Sequence, residues 1–176
     1  VFLWISGEDI SDLSALAALP PDALHRIRFN LTSIRDDNVR YVRHLIDLRA
    51  LDISSYPLSN GIGDAGVAHL ARLVNLESLD LQMTRVSSDG LRALQGLTKL
   101  KELDLSLTHV DDSGLPYLQD MTVLKNLDLW HTGVTDVGLS YLHNQTTLQG
   151  LVLDETHITT AGLAHLQNMR DLRYLS

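Results

Sequence analysis

The stretch LKELDLSLTHVDDSGLPYLQDMTV, from Leu100 to Val123, is followed at once by LKNLDLWHTGVTDVGLSYLHNQTT, from Leu124 to Thr147. Leucines recur at the same places in both stretches, and a threonine stays in register, while most of the residues between them differ. The leucines that open the units along the chain are Leu24, Leu48, Leu76, Leu100, Leu124, Leu148 and Leu172. Self-similarity at a fixed period predicts a stack of structural repeats.

Each unit combines two hydrophobic periods. Leu103 and Leu105 alternate with polar residues, which is the period of a strand with one buried face. Leu115, Leu118 and Met121 follow at intervals of three, which is helical spacing. Each unit is therefore predicted to form a strand followed by a helix.

Polar residues and a glycine mark the start of each predicted helix. The pairs Asp111-Asp112, Thr135-Asp136 and Thr159-Thr160 supply side-chain oxygens of the kind that cap free amides at a helix N-terminus. Glycine recurs just inside the helix, at Gly66, Gly90, Gly114, Gly138 and Gly162. Because glycine weakens a helix, we interpret these glycines as packing positions where backbones of adjacent units approach closely.

A threonine follows each predicted strand, at the bend where the chain leaves the sheet: Thr32, Thr84, Thr108, Thr132 and Thr156. Backbone groups at such a bend have no regular partner and must be satisfied. We expect the hydroxyls to form a column in which each bonds a neighbouring turn.

The six-residue pattern Leu-x-x-Leu-x-Leu resembles the leucine-rich repeat family. It is carried by Leu76-x-x-Leu79-x-Leu81, Leu100-x-x-Leu103-x-Leu105, Leu124-x-x-Leu127-x-Leu129 and Leu148-x-x-Leu151-x-Leu153. The threonine at the bend is similar to short bacterial repeats and to the cysteine-containing repeats of F-box and ribonuclease-inhibitor-like proteins. The resemblance implies an α/β fold, a right-handed solenoid (horseshoe) with a parallel concave β-sheet and helices on the convex side. Residues 1–176 are expected to form a single domain, cut in mid-repeat at both ends and so a fragment of a longer protein.

Composition excludes several classes of function. The net charge of −8 argues against a nucleic-acid partner, because binding to phosphates needs a basic surface. No run of apolar residues is long enough to span a membrane. The absence of cysteine removes thiolate nucleophiles and thiolate metal ligands, and it slightly favours the cytoplasm.

The unit that opens at Leu48 is four residues longer than its neighbours, since the next unit opens 28 residues later rather than 24. Pro57 and the surrounding serines, near Ser54 to Ser59, predict a loop that bulges from the bend. The loop is either tolerated drift or a surface that contacts a partner.

If the leucines face inward, the residues between them line an exposed sheet face, with equivalent side chains about 5 Å apart. The central column reads Trp4, Arg28, Asp52, Asp80, Asp104, Asp128 and Val152. Neighbouring carboxylates repel by about 1 kcal/mol even in water, and a partner rich in lysine or arginine would relieve that repulsion. The alternative is a solvated strand face whose charge is offset by Lys101, Lys125 and Arg49.

Two further outward columns follow the first. One reads Ser6, Asn30, Ser54, Gln82, Ser106, Trp130 and Asp154, and the other Gly7, Leu31, Ser55, Met83, Leu107, His131 and Glu155. Trp130, Met83, Leu107 and His131 are predicted to form an apolar patch, rimmed by Asp104, Asp128, Asp154 and Glu155. An aromatic residue surrounded by charge is typical of interface hot spots. In the alternative, Trp130 lies flat and shields the sheet.

Enzymatic and metal-binding interpretations are weaker. Ser106, His131 and Asp128 could be neighbours, but an open sheet face offers no oxyanion hole. Asp128, His131, Asp154 and Glu155 carry ligand atoms for a hard cation, whereas His69, His143 and His165 lie on the helical side without the spacing of a metal pair.

The sequence therefore predicts a protein-interaction module rather than an enzyme, with no cofactor. It is expected to bind a cationic or mixed-charge protein or peptide on its concave face, through the apolar patch, its acidic rim, Asp80, Trp4 and Arg28. The alternatives are a scaffold or spacer within a larger protein, and the substrate-recognition arm of a ubiquitin ligase or secreted effector.

Overall fold

The computed structural model describes residues 1–7, 12–30, 34–54 and 61–176. The predictions made for Leu31, Thr32 and Ser55, and for most of the loop that contains Pro57, lie outside the described residues. In the described part, eight strands form one parallel sheet in chain order. They are β1 (Phe2–Ser6), β2 (Arg26–Asn30), β3 (Ala50–Asp52), β4 (Ser78–Asp80), β5 (Glu102–Asp104), β6 (Asn126–Asp128), β7 (Gly150–Val152) and β8 (Tyr174–Leu175).

The register of the sheet follows the repeat of the sequence. Leu79 pairs with Leu103 and Leu103 with Leu127, so equivalent residues stand side by side on successive strands. Leu103 is 2% exposed and Leu105 is fully buried, which confirms that the repeated leucines face the interior. Their side chains belong to one continuous hydrophobic core.

The helical half of each repeat is short. Within the described ranges, the α-helices are four segments of one turn each: α1 (Asp36–Val39), α2 (Asp64–Val67), α3 (Ser88–Leu91) and α4 (Asp136–Leu139). The 3-10 segments are Ser14–Ala18, Arg40–Val42, Ala68–Leu70, Arg92–Leu94, Asp112–Leu118, Ser140–Leu142 and Gly162–Leu166. A 24-residue unit leaves few residues for the return path, and 3-10 turns cover more length per residue than an α-helix. The architecture is the expected right-handed solenoid, with the sheet on its concave side.

Aspartates at the start of four helical segments join one repeat to the next. Oδ1 of Asp112 accepts the amides of Thr135 and Gly138 at 2.7 and 3.0 Å. Asp36 binds Gly63 and Gly66 in the same way. Asp64 accepts the amide and the hydroxyl of Ser87, and Asp136 accepts those of Thr159, just before the next helical segment in each case. We call these contacts the inter-repeat aspartate bonds.

These bonds correct part of the capping prediction. Asp111 and Thr135 do cap their own helical segments, since their side chains accept the amides of Ser113 and Val137. Asp112 and Asp136, predicted as caps of their own helices, bind the next repeat instead.

The recurrent glycines are packing positions, but mostly not for the predicted reason. A Cβ on Gly66, Gly90, Gly138 or Gly162 would come closer than 3.0 Å to an aspartate carboxylate of the preceding repeat. At Gly114 the nearest atoms belong to Leu91 and Ser88. The close approach is therefore chiefly of a side chain to backbone, rather than of backbone to backbone.

The threonines at the bend form hydrogen bonds with backbone carbonyls of their own repeat. The hydroxyls of Thr84, Thr108 and Thr132 are buried and donate to the carbonyls of Leu81, Leu105 and Leu129, three residues earlier. The prediction that each hydroxyl bonds a neighbouring turn was wrong. A side chain at the bend reaches its own preceding carbonyl more directly than the next repeat.

Candidate functional site

A groove of about 330 Å³ lies on the concave face of the sheet, across β4 to β8. Its walls carry Asp80, Asp104 and Asp128 from the central column. Gly150, Val152 and Tyr174 line it beside the last strands. The groove therefore joins an acidic region to a more apolar one.

The register places the central column as predicted. Asp52 pairs with Asp80, Asp80 with Asp104 and Asp104 with Asp128. At the N-terminal end, Trp4 pairs with Arg28 and is 58% exposed. Arg28 donates to Asp52 at 2.6 Å, so the first carboxylate of the column is paired with a cation.

Each carboxylate of the column also has a structural contact. Asp80, Asp104 and Asp128 accept the amides of Gln82, Ser106 and Trp130, two residues later, at 2.8 to 2.9 Å. Asp52 accepts the amide of Ser54 at 3.1 Å. These bonds close the turn by which the chain leaves the sheet. The recurrent Leu-Asp-Leu sequence is thus explained in part by the fold itself.

The column is electrostatically unfavourable in its middle. The pKa of Asp80 is raised to about 7, chiefly by burial, with smaller contributions from the charges of Asp52 and Asp104. Burial likewise raises the pKa of Asp128, with Asp104 and Asp154 contributing. Because burial penalises the ionised form, a cation in the groove would stabilise both carboxylates.

None of the three basic residues named in the alternative, Lys101, Lys125 and Arg49, forms an ion pair with the central column in the described part of the chain. Lys101 and Arg49 lie 2.6 and 3.9 Å from the carboxylate of Glu77, which stands outside the column. Among the described residues, Lys125 is in no ion pair. Among the described residues, the carboxylates of Asp80, Asp104 and Asp128 therefore have no cation paired with them.

The second outward column is less exposed than predicted. Ser106 is fully buried, and its hydroxyl donates to Asp104 and accepts from Gln82. Those bonds commit the hydroxyl to the turn, so it is not paired with His131 as a catalytic triad would require. Trp130 is 37% exposed, as expected for an outward residue.

The third outward column has an unusual backbone. Met83, Leu107, His131 and Glu155 all have positive φ, from 52° to 59°. This left-handed conformation costs a residue with a Cβ about 1–2 kcal/mol. The backbone keeps these residues adjacent to the Trp130 column: the Met83 amide donates to the Ser106 carbonyl and the Leu107 amide to the Trp130 carbonyl.

The residues of the predicted apolar patch come from two columns. The rings of Trp130 and His131 have centroids 6.2 Å apart at an angle of 58°. Met83 and Leu107 are half-buried, whereas Asp154 and Glu155 are exposed. In the described part of the chain, no three histidine or acidic side chains are placed to hold a metal ion, so Asp128, His131, Asp154 and Glu155 are not gathered as ligands.

Sequence reasoning missed one column of the concave face. The residues two positions before the central column also line the groove: Ser78, Glu102, Asn126, Gly150 and Tyr174. The same alternation that exposes Asp104 exposes Glu102, so the period of two was sufficient to find them. Gly150 leaves space here, since a Cβ at this position would meet the side chain of Asn126.

Comparison with known proteins agrees with this fold. The profile of the family described as Leucine Rich repeat matches residues 73–94 and 96–118. The crystal structure of an internalin (inlF) from Listeria monocytogenes is similar, with a TM-score of 0.85 and 25% identity, over 99% of this chain and 47% of that one. The crystal structure of internalin C2 (inlC2) from the same organism has a TM-score of 0.75 and 25% identity, over 94% of this chain and 66% of that one.

The chain spans about half of the length of the first of these structures. A search of curated protein sequences gave no significant match. Within the described residues, none of the helices combines the length and the apolar character needed to cross a bilayer.

Proposed function

We propose that this chain, a leucine-rich repeat protein, is an interaction module that binds a protein or peptide partner through its concave face. The groove across β4 to β8 receives a lysine or arginine side chain of the partner, placed over Asp80, Asp104 and Asp128. The patch around Trp130 covers an apolar part of the same partner.

The observation that carries this proposal is the desolvated carboxylate of Asp80 inside the groove. Its pKa of about 7 means that about half of the free protein molecules hold a proton there near neutral pH. A partner cation favours the ionised form, so binding releases that proton. The contact gains affinity from a charge that is unfavourable in the free protein.

The patch supplies a different contribution. Trp130 is a rigid aromatic side chain, partly exposed beside His131 and the half-buried Leu107. Aromatic residues of this kind carry much of the binding energy in protein interfaces. The exposed Asp154 and Glu155 surround the patch and suit a partner of mixed or positive charge.

Binding is tested with a peptide of alternating lysine and glycine residues, compared with the same peptide carrying glutamine in place of lysine. We expect the lysine peptide to bind more tightly and to release protons at pH 7, measured by titration calorimetry in buffers of different ionisation enthalpy. Equal affinity for both peptides would contradict the proposal.

The informative variant is Asp104→Asn. Asparagine keeps an oxygen for the amide of Ser106, whereas lysine would break that bond and disturb the turn. We expect Asp104→Asn to weaken binding of the lysine peptide about tenfold, which is about 1.4 kcal/mol. Asp89→Asn removes the same charge at an exposed position on the helical side and should leave the affinity unchanged.

A spacer is the second candidate function, and one observation favours it. Because each aspartate of the column closes its own turn, the carboxylates have a role without any partner. A spacer predicts that neither peptide binds and that Trp130→Ala changes neither stability nor binding.

A further inference from the structure

A row of mostly basic side chains follows the edge of the sheet at which the strands begin. It consists of the residue after each opening leucine: His25, Arg49, Glu77, Lys101, Lys125, Gln149 and Arg173. From Arg49 onward, each amide in this row donates to the carbonyl of the preceding member at 2.7 to 2.8 Å. The side chains therefore stand about 4.8 Å apart, the spacing of neighbouring strands. We call this set the edge row.

The first half of the edge row holds a carboxylate. Glu77 lies between two cations, with Lys101 Nζ 2.6 Å from one of its oxygens and Arg49 Nη1 3.9 Å from the other. Its hydrogen bond with Lys101 lowers the pKa of Glu77 below its ordinary value. Two cations on alternate strands thus bind one carboxylate on the strand between them.

The second half repeats this arrangement without the acid. Lys125 and Arg173 stand on alternate strands, and Gln149 lies between them, in the place that Glu77 takes three repeats earlier. Both cations are exposed. In the described part of the chain, neither of them forms an ion pair. The glutamine cannot neutralise them, but its amide group can donate a hydrogen bond.

We propose that Lys125, Gln149 and Arg173 form a binding site for a carboxylate of an acidic partner segment. That carboxylate takes the position that the Glu77 side chain takes between Arg49 and Lys101. The two cations provide charge-assisted hydrogen bonds, and Gln149 adds a neutral donor. The protein carries a net charge of −8, so this site is set apart from an otherwise repulsive surface.

The site lies beside the concave groove. The residues that follow its three members are Asn126, Gly150 and Tyr174, and all three line that groove. Three residues along a strand, or about 10 Å, separate Lys125 from Asp128 of the central column. An extended partner segment that presents an acidic and a basic side chain about 10 Å apart on the same face reaches both. This last step rests on the proposed function, whereas the carboxylate site does not.

The site is tested with an acetylated, amidated tetraglutamate peptide, titrated into the full chain at low ionic strength and followed by amide chemical shifts. We expect shifts centred on Lys125, Gln149 and Arg173 that decrease in 0.3 M salt, since screening weakens exposed charge pairs. Shifts elsewhere, or none, would overturn the proposal.

Two reciprocal variants make the test specific. Gln149→Glu supplies an internal carboxylate, as Glu77 does, and should weaken peptide binding at least tenfold although both cations remain. Glu77→Gln frees Arg49 and Lys101 and should create a second site of similar affinity. If Gln149→Glu leaves the titration unchanged, the site is not the one described.

A matched control is Lys99→Gln. Lys99 lies on the same edge, but it donates to Asn75 and is not a member of the edge row. This variant removes one positive charge and should leave the peptide shifts in place. Asp104→Asn should also leave them in place, so failure of the carboxylate site and failure of the proposed function give different results.

Discussion

The amide of Gly138 lies 3.0 Å from Oδ1 of Asp112, a residue of the preceding repeat. The same oxygen accepts the amide of Thr135 at 2.7 Å. One carboxylate thus satisfies two amides at the first turn of the following helix, which otherwise have no partner within the helix. Because a Cβ on Gly138 would come closer than 3.0 Å to Asp112, this bond requires glycine.

The first prediction concerns Gly138→Ala. Alanine favours a helix over glycine by about 1 kcal/mol, but here it displaces Asp112 and breaks the inter-repeat bond. We expect a net loss of about 1–3 kcal/mol in the free energy of unfolding, measured by urea denaturation. Gly96→Ala is the matched control, because a Cβ at Gly96 would meet nothing within 4 Å. Equal effects of the two substitutions would show that the contact with Asp112 is not the reason why position 138 requires glycine.

The second prediction concerns the buried Gln145, which occupies a position held by Met121 and Met169 in neighbouring repeats. Its Nε2 donates to the Leu118 carbonyl at 2.8 Å, and in the described residues its Oε1 has no partner. The Leu118 carbonyl also accepts the amide of Met121, so it does not depend on the glutamine. We expect Gln145→Met to raise the free energy of unfolding by about 1 kcal/mol. If chemical denaturation shows a loss of stability instead, the hydrogen bond from Gln145 to the Leu118 carbonyl stabilises the fold by more than its unpaired Oε1 destabilises it.

The third prediction concerns pH. The pKa of Asp80 is raised from 3.8 to about 7, so the folded protein holds this proton more tightly than the unfolded chain. Its contribution to stability is therefore full below about pH 4 and is lost as the pH rises through about 7. Asp80→Asn removes this dependence while keeping an acceptor for the Gln82 amide.

We expect Asp80→Asn to unfold at higher urea than the parent at pH 8, with a gain of up to about 4 kcal/mol at about 1.4 kcal/mol per pKa unit. The gain should vanish below about pH 3, where the parent carboxyl is mostly protonated in both the folded and the unfolded state. A gain of the same size at both pH values would show that the charge of Asp80 is not its cause.

The fourth prediction concerns the left-handed backbone at His131, where φ is 52°. Asparagine tolerates this conformation, whereas a β-branched residue does not. We expect His131→Asn to raise the free energy of unfolding by about 0.5–1 kcal/mol and His131→Val to lower it by more than that. Thermal and urea unfolding of the two variants, compared side by side, measure the difference. The opposite order would mean that side-chain contacts of His131 decide its stability rather than its backbone.

The fold was predictable because the residues that determine it recur at fixed intervals. The interval of two between Leu103 and Leu105 and the 24-residue interval between units are enough to define the strands and the register. The contacts between repeats were harder to predict from the sequence. Asp112 and Thr135 both have oxygens suited to capping, and sequence spacing does not say which of them reaches across to the next repeat.

The candidate site was predictable to a similar degree. Outward positions such as Asp104 and Trp130 follow from alternation alone. The extent to which a residue is buried does not follow from alternation. Ser106 shares its column with Trp130, yet it is fully buried by the turn that Asp104 closes. The role of Asp104 in that turn depends on how the chain bends after the strand, which side-chain periodicity does not encode.

The inter-repeat aspartate bonds also affect how the number of repeats in such a chain can change. At Asp36, Asp64, Asp112 and Asp136, one unit carries the acceptor for the unit after it, so units between such contacts can be duplicated or deleted with these contacts still matched. The joint between Ser88 and Asp111 is different, because there Ser88 Oγ accepts the Asp111 amide and donates to the Asp111 carboxylate. Those two units are mutually fitted, and engineering that lengthens the solenoid should keep them adjacent.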